Sequence, residues 1–258
     1  MYLKCKGIII KETSSGEKGK ILTILTADKG VITAAAAGGK NVGASYFRCV
    51  QLFTYCEFHM YSGHRPGLLT VLDALYIRSF FDLSRDIEHF ALASYCAELC
   101  KISLTGMAED EHLLKLLLNT FHVIVQDALP HDHVKAVFEL RLGALLGFEP
   151  LLDGCDGCGL PLPSEDNDSF FDIDTCSLRC GDCVPKQESA GPVLPMSAAL
   201  YRSVLHAVTA SDNALFMFKT DEETLQTLAG LCEKYILRRL EYEPKSLPLY
   251  KSFSGDRK

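Results

Sequence analysis

The sequence contains no long, uncharged apolar stretch, and it gives no sign of a membrane-spanning helix. Such a helix needs about 20 apolar residues, whereas the longest apolar segment, 113–129, is interrupted by Lys115, His122 and Asp127. The first six residues, MYLKCK, have no apolar segment behind their charges, so they do not resemble a secretory signal. We expect a cytoplasmic protein without a membrane partner.

Motifs typical of enzymes are also missing. The chain has no P-loop, no G-x-S-x-G turn and no H-E-x-x-H motif. His131 and His133 flank Asp132, which resembles a metal or acid–base cluster, but two histidines at this spacing in a loop have no further partner residue nearby in the sequence. We therefore interpret the three residues as a polar turn between helices. The expectation is a protein that is not an enzyme and has no small-molecule substrate.

The net charge of −7 argues against a generic nucleic-acid binder. The charge is unevenly distributed, however. Residues 1–80 carry ten basic and five acidic groups, a balance of +5, which leaves −12 for residues 81–258. A polyanion partner for the first part explains this asymmetry. A chance imbalance of surface charge explains it equally well.

The first 80 residues predict five β-strands separated by glycine-rich turns. The segments are short and rich in β-branched or alternating residues, and 27–30 (ADKG) is a turn signal. The predicted strands are 7–11, 21–26, 31–37, 52–61 and 68–77. Five short strands in this length are typical of a small barrel such as the OB-fold. We predict an α+β protein of several domains, with an OB-fold over residues 1–80.

Residues 81–258 predict a helical domain. Apolar residues recur there at helical spacing in five segments. The predicted helices are 83–104, 111–129, 133–146, 198–209 and 222–242. Gly147 ends the third helix, while Ser197 and Asp221 are suitable N-caps for the last two. Residues 153–185 are rich in Gly, Asp and Pro and are interpreted as a loop-like insertion.

Two Cys-x-x-Cys pairs in this insertion give the clearest chemical signal. They are Cys155 with Cys158 and Cys180 with Cys183, separated by 21 residues. Two such turns facing each other form the tetrahedral S₄ site of structural Zn²⁺. We predict one structural zinc ion per chain, and the closed ligand set disfavours a zinc-dependent hydrolase. Cys176 is a fifth sulfur that can replace Cys180, and the sequence leaves its role open.

Five basic residues in or near loops of the predicted barrel are candidates for contact with DNA phosphates. They are Lys18, Lys20, Lys29, Lys40 and Arg48. Rings near them that are suited to stacking on bases are Tyr46, Phe47, Tyr55 and Tyr61. Each ring taken alone is better explained as part of the sheet, and lysines also serve to keep a surface soluble. The basic loops taken together favour nucleic acid.

Several short motifs occur in an order that is characteristic of one protein family. They are 7–10 (GIII), 16–17 (GE), 21–30 (ILTILTADKG), 37–40 (AGGK), 138–142 (FELRL), 147–148 (GF) and Pro150. With the order barrel, helical bundle, zinc module and final helix, the chain resembles the RecO family of bacterial DNA-repair proteins over essentially its whole length.

The resemblance implies a recombination mediator of the RecF pathway, associated with the nucleoid when it acts. Such proteins bind single- and double-stranded DNA, anneal complementary strands, engage the C-terminal tail of single-strand binding protein (SSB) and, with RecR, help load RecA. The barrel would contact DNA, and Arg141 is a candidate for the acidic tail. Segment 40–45, which is often strongly basic in the family, holds one charge here. A protein-only adaptor for SSB and RecR is therefore the alternative.

Overall fold

The computed structural model describes residues 1–43, 45–63, 67–103, 111–164, 167–186 and 191–254. The chain forms two compact units, Met1–Asp127 with Pro244–Lys258, and Ala128–Glu243. The domain boundary placed between residues 80 and 81 stays a prediction from the sequence. Within the described ranges, no helix has the length and apolar character needed to cross a bilayer.

Five strands of the first unit form the closed OB-fold barrel that the sequence predicts. They are β1 (Tyr2–Ser15), β2 (Gly19–Thr26), β3 (Val31–Ala36), β4 (Thr54–Ser62) and β5 (Leu69–Ser79). They close in the order β1-β2-β3-β5-β4, with β3 and β5 parallel and the other neighbours antiparallel. Strand β1 is longer than predicted because it pairs with β4 over residues 2–8 and with β2 over residues 7–15.

Alternate side chains of the strands fill the barrel, as the two-residue period of a strand requires. Leu22 and Ile24 of β2 and Phe58 of β4 are completely buried in this core. A short 3₁₀ helix at Phe47–Val50 adds the buried side chain of Val50. The barrel therefore has its own apolar interior, formed by residues that the alternating pattern identifies.

The helices follow the apolar spacing of the sequence to within a few residues. In the described ranges they are α1 (Ile87–Ser103), α2 (Glu111–Gln126), α3 (His131–Leu145), α4 (Ala198–Thr209), α5 (Glu222–Leu240) and α6 (Leu247–Ser254). Ser197 and Asp221 cap α4 and α5 through their side chains, as predicted. Helix α6 was not expected, and the predicted end of the first helix at residue 104 lies outside the described residues.

Aromatic rings join the barrel to α1 and α2 within the first unit. Phe53, which precedes β4, packs edge-on against Phe121 of α2 at 4.9 Å between ring centres. Phe90 of α1 lies 5.9 Å from Phe53, and Phe80 lies 5.6 Å from Phe121. Phe53 has a positive φ of 58°, a conformation that is costly for a residue other than glycine. Its buried contacts offset this cost.

The insertion after α3 is a small sheet, which corrects its interpretation as a loop. Its strands are β6 (Leu151–Cys155), β7 (Ser169–Asp172), β8 (Ser177–Cys180) and β9 (Val193–Pro195), in the order β6-β8-β7-β9. Each strand has three to five residues. Such strands are too short to show a clear alternation of apolar and polar residues, so they carry no strand signal that can be recognised from the sequence.

Gly143→Ala is expected to destabilise the second unit, whereas Gly230→Ala is not. A Cβ atom at Gly143 of α3 would lie 2.1 Å from the hydroxyl of Tyr235, a buried residue of α5 that donates to the carbonyl of Phe148 at 2.6 Å. Displacing this ring costs about 2–4 kcal/mol. Gly230 of α5 is exposed with open space around it, so alanine gains up to about 1 kcal/mol there.

Chemical denaturation of the two glycine variants beside the parent protein measures these differences. The two substitutions are chemically identical and both lie in helices of the second unit. A Gly143→Ala protein as stable as the parent would contradict the packing described for α3 and α5.

Candidate metal centre and nucleic-acid interface

Four cysteines of the second unit lie together at the edge of the small sheet. The sulfur atoms of Cys155, Cys158, Cys180 and Cys183 all lie within 4.8 Å of one another. The two sulfurs of Cys158 and Cys180 are 3.7 Å apart. Four thiols at this spacing are able to bind one metal ion, and a complete S₄ set leaves no coordination position for a substrate.

The backbone explains why the two cysteine pairs meet. Strands β6 and β8 are parallel neighbours that end at Cys155 and Cys180, so both Cys-x-x-Cys turns start from the same edge of the sheet. Gly159, with φ of 73°, donates its N–H to the carbonyl of Cys155 at 2.8 Å and tightens the first turn. A Cβ atom at Gly157 would lie 3.0 Å from the sulfur of Cys183. Glycine at these positions lets the turns approach closely.

Hydrogen-bond donors of the backbone prepare Cys155 for metal binding. Burial raises the pKa of this thiol, but the N–H groups of Cys180, Cys158 and Gly157 outweigh burial and lower the pKa to about 6. The N–H of Cys180 is 3.3 Å from the Cys155 sulfur. Because the thiolate is the form that binds metals, the backbone favours the ligand form of Cys155.

Cys176 lies outside this group of four sulfurs. Burial raises the pKa of its thiol to about 11, with the neighbouring Arg239 acting in the opposite direction. Its carbonyl accepts the N–H of Leu151 at 2.8 Å, which connects the turn before β8 to β6. These contacts describe a structural residue and give no support to the alternative in which Cys176 replaces Cys180.

Lys20, one of the five basic residues proposed for DNA contact, points into the barrel. It is 9% exposed. Its ammonium group donates to Glu12 at 2.9 Å, to the carbonyl of Val50 at 3.2 Å and to Gln51 at 2.9 Å. These partners use all three protons of the ammonium group. Lys20 therefore stabilises the barrel and offers no free donor to a phosphate.

Lys18 and Lys40 lie side by side at one end of the barrel. The N–H of Lys40 donates to the carbonyl of Lys18 at 3.1 Å, and its Nζ donates to the carbonyl of Gly16 at 2.9 Å. Lys18 is exposed and Lys40 is half-buried. Two protons of the Lys40 ammonium group are not used by Gly16, so both lysines can face a phosphate.

Lys29 and Arg48 occupy other parts of the barrel. Lys29 follows β2, whose eight residues separate it from the Lys18 end by about 26 Å. Lys29 forms an ion pair of 3.5 Å with Asp28. The guanidinium carbon of Arg48 lies 5.5 Å from the ring centre of Tyr76 on β5, which is a cation–π distance. The predicted cations are therefore distributed over the barrel and do not form one cluster.

A face without carboxylates connects the two ends of β2. Neither β2 nor β3 contains Asp or Glu. Their outward pairs, Ile21 with Ala35 and Thr23 with Thr33, are half-buried. OB-folds commonly bind oligonucleotides over strands 2 and 3. The strands of this face are thus neutral, with Lys18 and Lys40 at one end and Lys29, paired with Asp28, at the other.

Tyr61, one of the rings named from the sequence, has a partner that was not predicted, Tyr2 at the start of β1. The register of β1 and β4 places Tyr2 opposite Tyr61, with 5.4 Å between their ring centres, and Tyr2 is 78% exposed. Lys4 and Lys6 follow on the same face of β1, and Lys4 pairs with Glu57 at 2.9 Å. The alternation of Tyr2, Lys4 and Lys6 was the available signal, but it required knowing that β1 begins at residue 2.

Strand β5 presents exposed apolar side chains. Leu72, Leu75 and Tyr76 are each 50–52% exposed. Strand β5 pairs with β3 only at Leu69 and Thr70, so beyond that point no described strand lies along this edge. Exposed apolar side chains grouped on one strand are typical of a protein-interaction surface.

Arg141 on α3, proposed as a contact for a partner, serves the packing of the second unit. Its guanidinium donates to the carbonyl of Ala210 at the end of α4. Burial lowers the pKa of Arg141, and the nearby carboxylates of Asp212 and Glu149 act in the opposite direction. Arg141 connects α3 to α4, and the two carboxylates would repel an acidic peptide.

A cavity of about 420 Å³ lies between α4 and the start of α5. Its wall includes the ring of Phe218, which packs 4.8 Å from His206, and the basic side chains of Arg202 and Lys219. The carboxylate of Asp221 is also in the wall, but it is occupied in capping α5. The cavity combines an aromatic wall with two cations.

Two family patterns cover nearly the whole chain. The pattern described as "Recombination protein O N terminal" matches residues 1–80, and "Recombination protein O C terminal" matches residues 84–248. The chain is 28% identical to "DNA repair protein RecO" of Acetivibrio thermocellus over 251 residues, which is 97% of each chain. Proteins of the same name from Halalkalibacterium halodurans (27% identical, 88% of this chain and 87% of that one) and Symbiobacterium thermophilum (26%, 93% of each) are also similar.

Proposed function

We propose, from the premise that the chain belongs to the RecO family of DNA-repair proteins, that it acts as a recombination mediator of the RecF pathway. In this role it binds single- and double-stranded DNA without reading sequence, anneals complementary strands, and helps RecR load RecA onto DNA coated with SSB. The observation that carries the proposal is the match to both parts of the family. The neutral β2–β3 face with cations at both ends supports it physically.

The proposed mechanism is neutralisation of phosphates without contact to base edges. Lys18, Lys40 and Lys29, at the two ends of β2, would neutralise phosphates and release counterions. Phosphate contacts position a strand but carry no sequence information. Base edges left free in this way are able to pair with a second strand, which is what annealing requires.

The proposal includes one structural Zn²⁺ ion per chain, held by Cys155, Cys158, Cys180 and Cys183. The distances among the sulfurs and the thiolate-stabilising N–H groups support this assignment. Four thiolates suit zinc and close its coordination shell. The ion would stabilise the small sheet of the second unit and take no part in catalysis.

RecR and the C-terminal tail of SSB are the proposed protein partners. The exposed apolar side chains of β5 suit the docking of RecR on the barrel. The cavity beside Phe218, with Arg202 and Lys219, suits an acidic tail that ends in an apolar residue. Arg141, proposed earlier for this contact, is a weaker candidate because its guanidinium holds the carbonyl of Ala210.

Arg202→Glu combined with Lys219→Glu is expected to weaken binding of a labelled SSB-tail peptide at least about tenfold, because two attractive charges become repulsive. Fluorescence anisotropy measures the affinity. Lys234→Glu combined with Arg238→Glu changes the net charge equally on exposed residues of α5 in the same unit and serves as the control. Equal weakening of binding by both double variants would contradict the proposal that the SSB tail binds in this cavity.

The alternative function is a protein-only adaptor that binds SSB and RecR. It is favoured by one observation, the internal use of Lys20, which leaves the barrel with fewer free cations. An annealing assay with two complementary labelled strands separates the two functions. Annealing without any partner supports the mediator, whereas capture of SSB and RecR with no annealing and no DNA binding would overturn it in favour of the adaptor.

A further inference from the structure

An arginine beside the four cysteines contacts one of their two turns. Arg179 is the third residue of β8, and its side chain is 14% exposed. Its Nη2 donates to the carboxylate of Asp156, inside the first Cys-x-x-Cys turn, at 3.3 Å. Its Nε donates to the carboxylate of Asp172, at the end of β7, also at 3.3 Å. One guanidinium group therefore connects the first cysteine turn to the small sheet.

Asp172 is the fixed end of this connection. It is completely buried, and the register of β7 against β8 places it on the same face as Arg179, as a diagonal neighbour. Its second oxygen accepts the N–H groups of Asp174 and Thr175 at 2.9 and 3.3 Å. Arg239 of α5 holds the same turn, because its guanidinium donates to the carbonyl of Asp174. These bonds leave Asp172 little freedom, so Arg179 is held at a defined place.

Asp156 is attached to β8 at two points. Its N–H donates to the carbonyl of Leu178 at 2.9 Å, and its carboxylate accepts the guanidinium of Arg179. The pairing of β6 with β8 reaches Cys155, and the two bonds of Asp156 continue this attachment into the turn. They therefore fix the turn, and the two sulfurs that it carries, relative to Cys180 at the end of β8.

The guanidinium of Arg179 also lies close to the sulfurs. A Cβ atom at Gly157 would be 3.0 Å from the sulfur of Cys183 and 3.6 Å from Nη1 of Arg179. At most about 7 Å then separates this nitrogen from the sulfur, which is less than the screening length of about 8 Å at physiological ionic strength. Removing the guanidinium would leave the carboxylates of Asp156 and Asp172 uncompensated beside four thiolates, which already exceed the charge of Zn²⁺.

We propose that Arg179 is a positioning residue of the metal centre, which ties the first Cys-x-x-Cys turn to the buried carboxylate of Asp172 and so slows the loss of zinc. The inference rests on the zinc ion of the proposed function and adds to it a residue that is not a ligand. Removing groups that orient the ligands typically lowers metal affinity 10–100-fold. Arginine suits this role better than lysine, because its planar fork binds two carboxylates at once.

Arg238 provides a matched comparison within the same unit. Its Nε pairs with Asp174 at 2.8 Å, and its side chain is 62% exposed. This ion pair connects α5 to the turn before β8 and not to a cysteine turn. Because an exposed ion pair contributes little to stability, Arg238→Gln should keep the fold.

Transfer of zinc from the full-length protein to an excess of a chromogenic chelator tests the proposal. Arg179→Gln is expected to accelerate zinc loss at least about tenfold relative to the parent. Arg179→Lys keeps the positive charge but does not reach both carboxylates, so we expect an intermediate acceleration of about threefold. Arg238→Gln, which loses the same charge, should release zinc at the rate of the parent.

Replacement of zinc by Co²⁺ separates positioning from general stability. The visible absorption of Co²⁺ depends on the geometry of its ligands, so a displaced turn in Arg179→Gln should change the spectrum. A merely structural role would lower the melting temperature and leave the spectrum unchanged. An unchanged spectrum, unchanged zinc loss in Arg179→Gln, or equal acceleration in Arg238→Gln would overturn the proposal. A parent protein that holds no zinc would instead contradict the zinc assignment itself, and this inference with it.

Discussion

Cys155→Ser or Cys183→Ser is expected to remove the zinc ion and to lower the melting temperature by about 10 °C or more. Each substitution leaves three thiolates around an ion that needs four ligands. The free energy of binding structural zinc contributes to the free energy of folding, because the unfolded chain has no formed site. A loss of about 4 kcal/mol corresponds to about 8–16 °C for a protein of 150–250 residues, and this chain is of similar size.

The position of the ligands makes the small sheet the region most affected. Cys155 and Cys180 end β6 and β8, the two strands whose turns hold all four sulfurs. Strands of three to five residues form few hydrogen bonds, so they depend on the metal more than the helices do. Loss of zinc should therefore open this sheet first, and hydrogen exchange should increase there before it increases in α3 or α5.

Cys176→Ser is the matched control for the zinc prediction. Cys176 belongs to the same insertion and is equally buried, but its thiol lies beside Arg239 and outside the group of four sulfurs. Its replacement should cost about 1 kcal/mol and leave the zinc content unchanged. Metal analysis and calorimetry of the three variants and the parent measure these effects. A parent protein purified without zinc, or equal melting temperatures for Cys155→Ser and Cys176→Ser, would contradict the assignment.

The parts of the fold that were predicted correctly are those governed by local pattern. Alternation of residues over β4 and apolar spacing over α5 are properties of single segments, and both elements lie near their expected positions. The cysteine pairs were recognisable because the spacing within each turn is itself the chemical requirement. Residues 131–133, in contrast, were interpreted as a turn but form the first turn of α3, with Pro130 as the residue before it.

The features that the sequence did not predict depend on contacts between distant segments. In the sequence, Lys20 looks like the other basic loop residues. In the structure, its ammonium group donates to Glu12, to the carbonyl of Val50 and to Gln51. The cavity lined by Ile10, Ala97 and Ser246 likewise combines β1, α1 and the chain before α6, which are up to about 230 residues apart in the sequence. A local sequence pattern contains no information about contacts between distant segments. Only the structure therefore distinguishes lysines that are bonded within the protein from lysines that are free to bind a partner.

Lys18→Glu combined with Lys40→Glu is expected to weaken binding of single-stranded DNA at least about tenfold at low salt. Both lysines lie at one end of the β2–β3 face, and their reversal places two negative charges where a phosphate would lie. Each lost phosphate contact should also reduce the dependence of log K on log salt by about 0.7. The slope should therefore fall by about 1.4. Fluorescence anisotropy with a labelled oligonucleotide at several salt concentrations measures both quantities.

The parent protein provides the reference for this slope. If about four phosphates are contacted, raising the salt from 50 to 200 mM should weaken single-strand binding about fiftyfold. Lys20→Gln is the informative control. It removes one positive charge from the same end of the barrel, but the ammonium group that carries this charge already donates to Glu12 and to the carbonyl of Val50. This variant should lose stability and keep the salt slope of the parent.

The three measurements together decide between the mediator and the adaptor. A steep slope in the parent that Lys18→Glu with Lys40→Glu reduces, and that Lys20→Gln leaves unchanged, means that DNA binds through the exposed lysines at this end of the barrel. A flat salt response in the parent would contradict binding through phosphates. A slope that falls equally in both variants would mean that net charge acts without a defined surface. Only the flat response would restrict the role of the barrel in repair to the proteins that bind it.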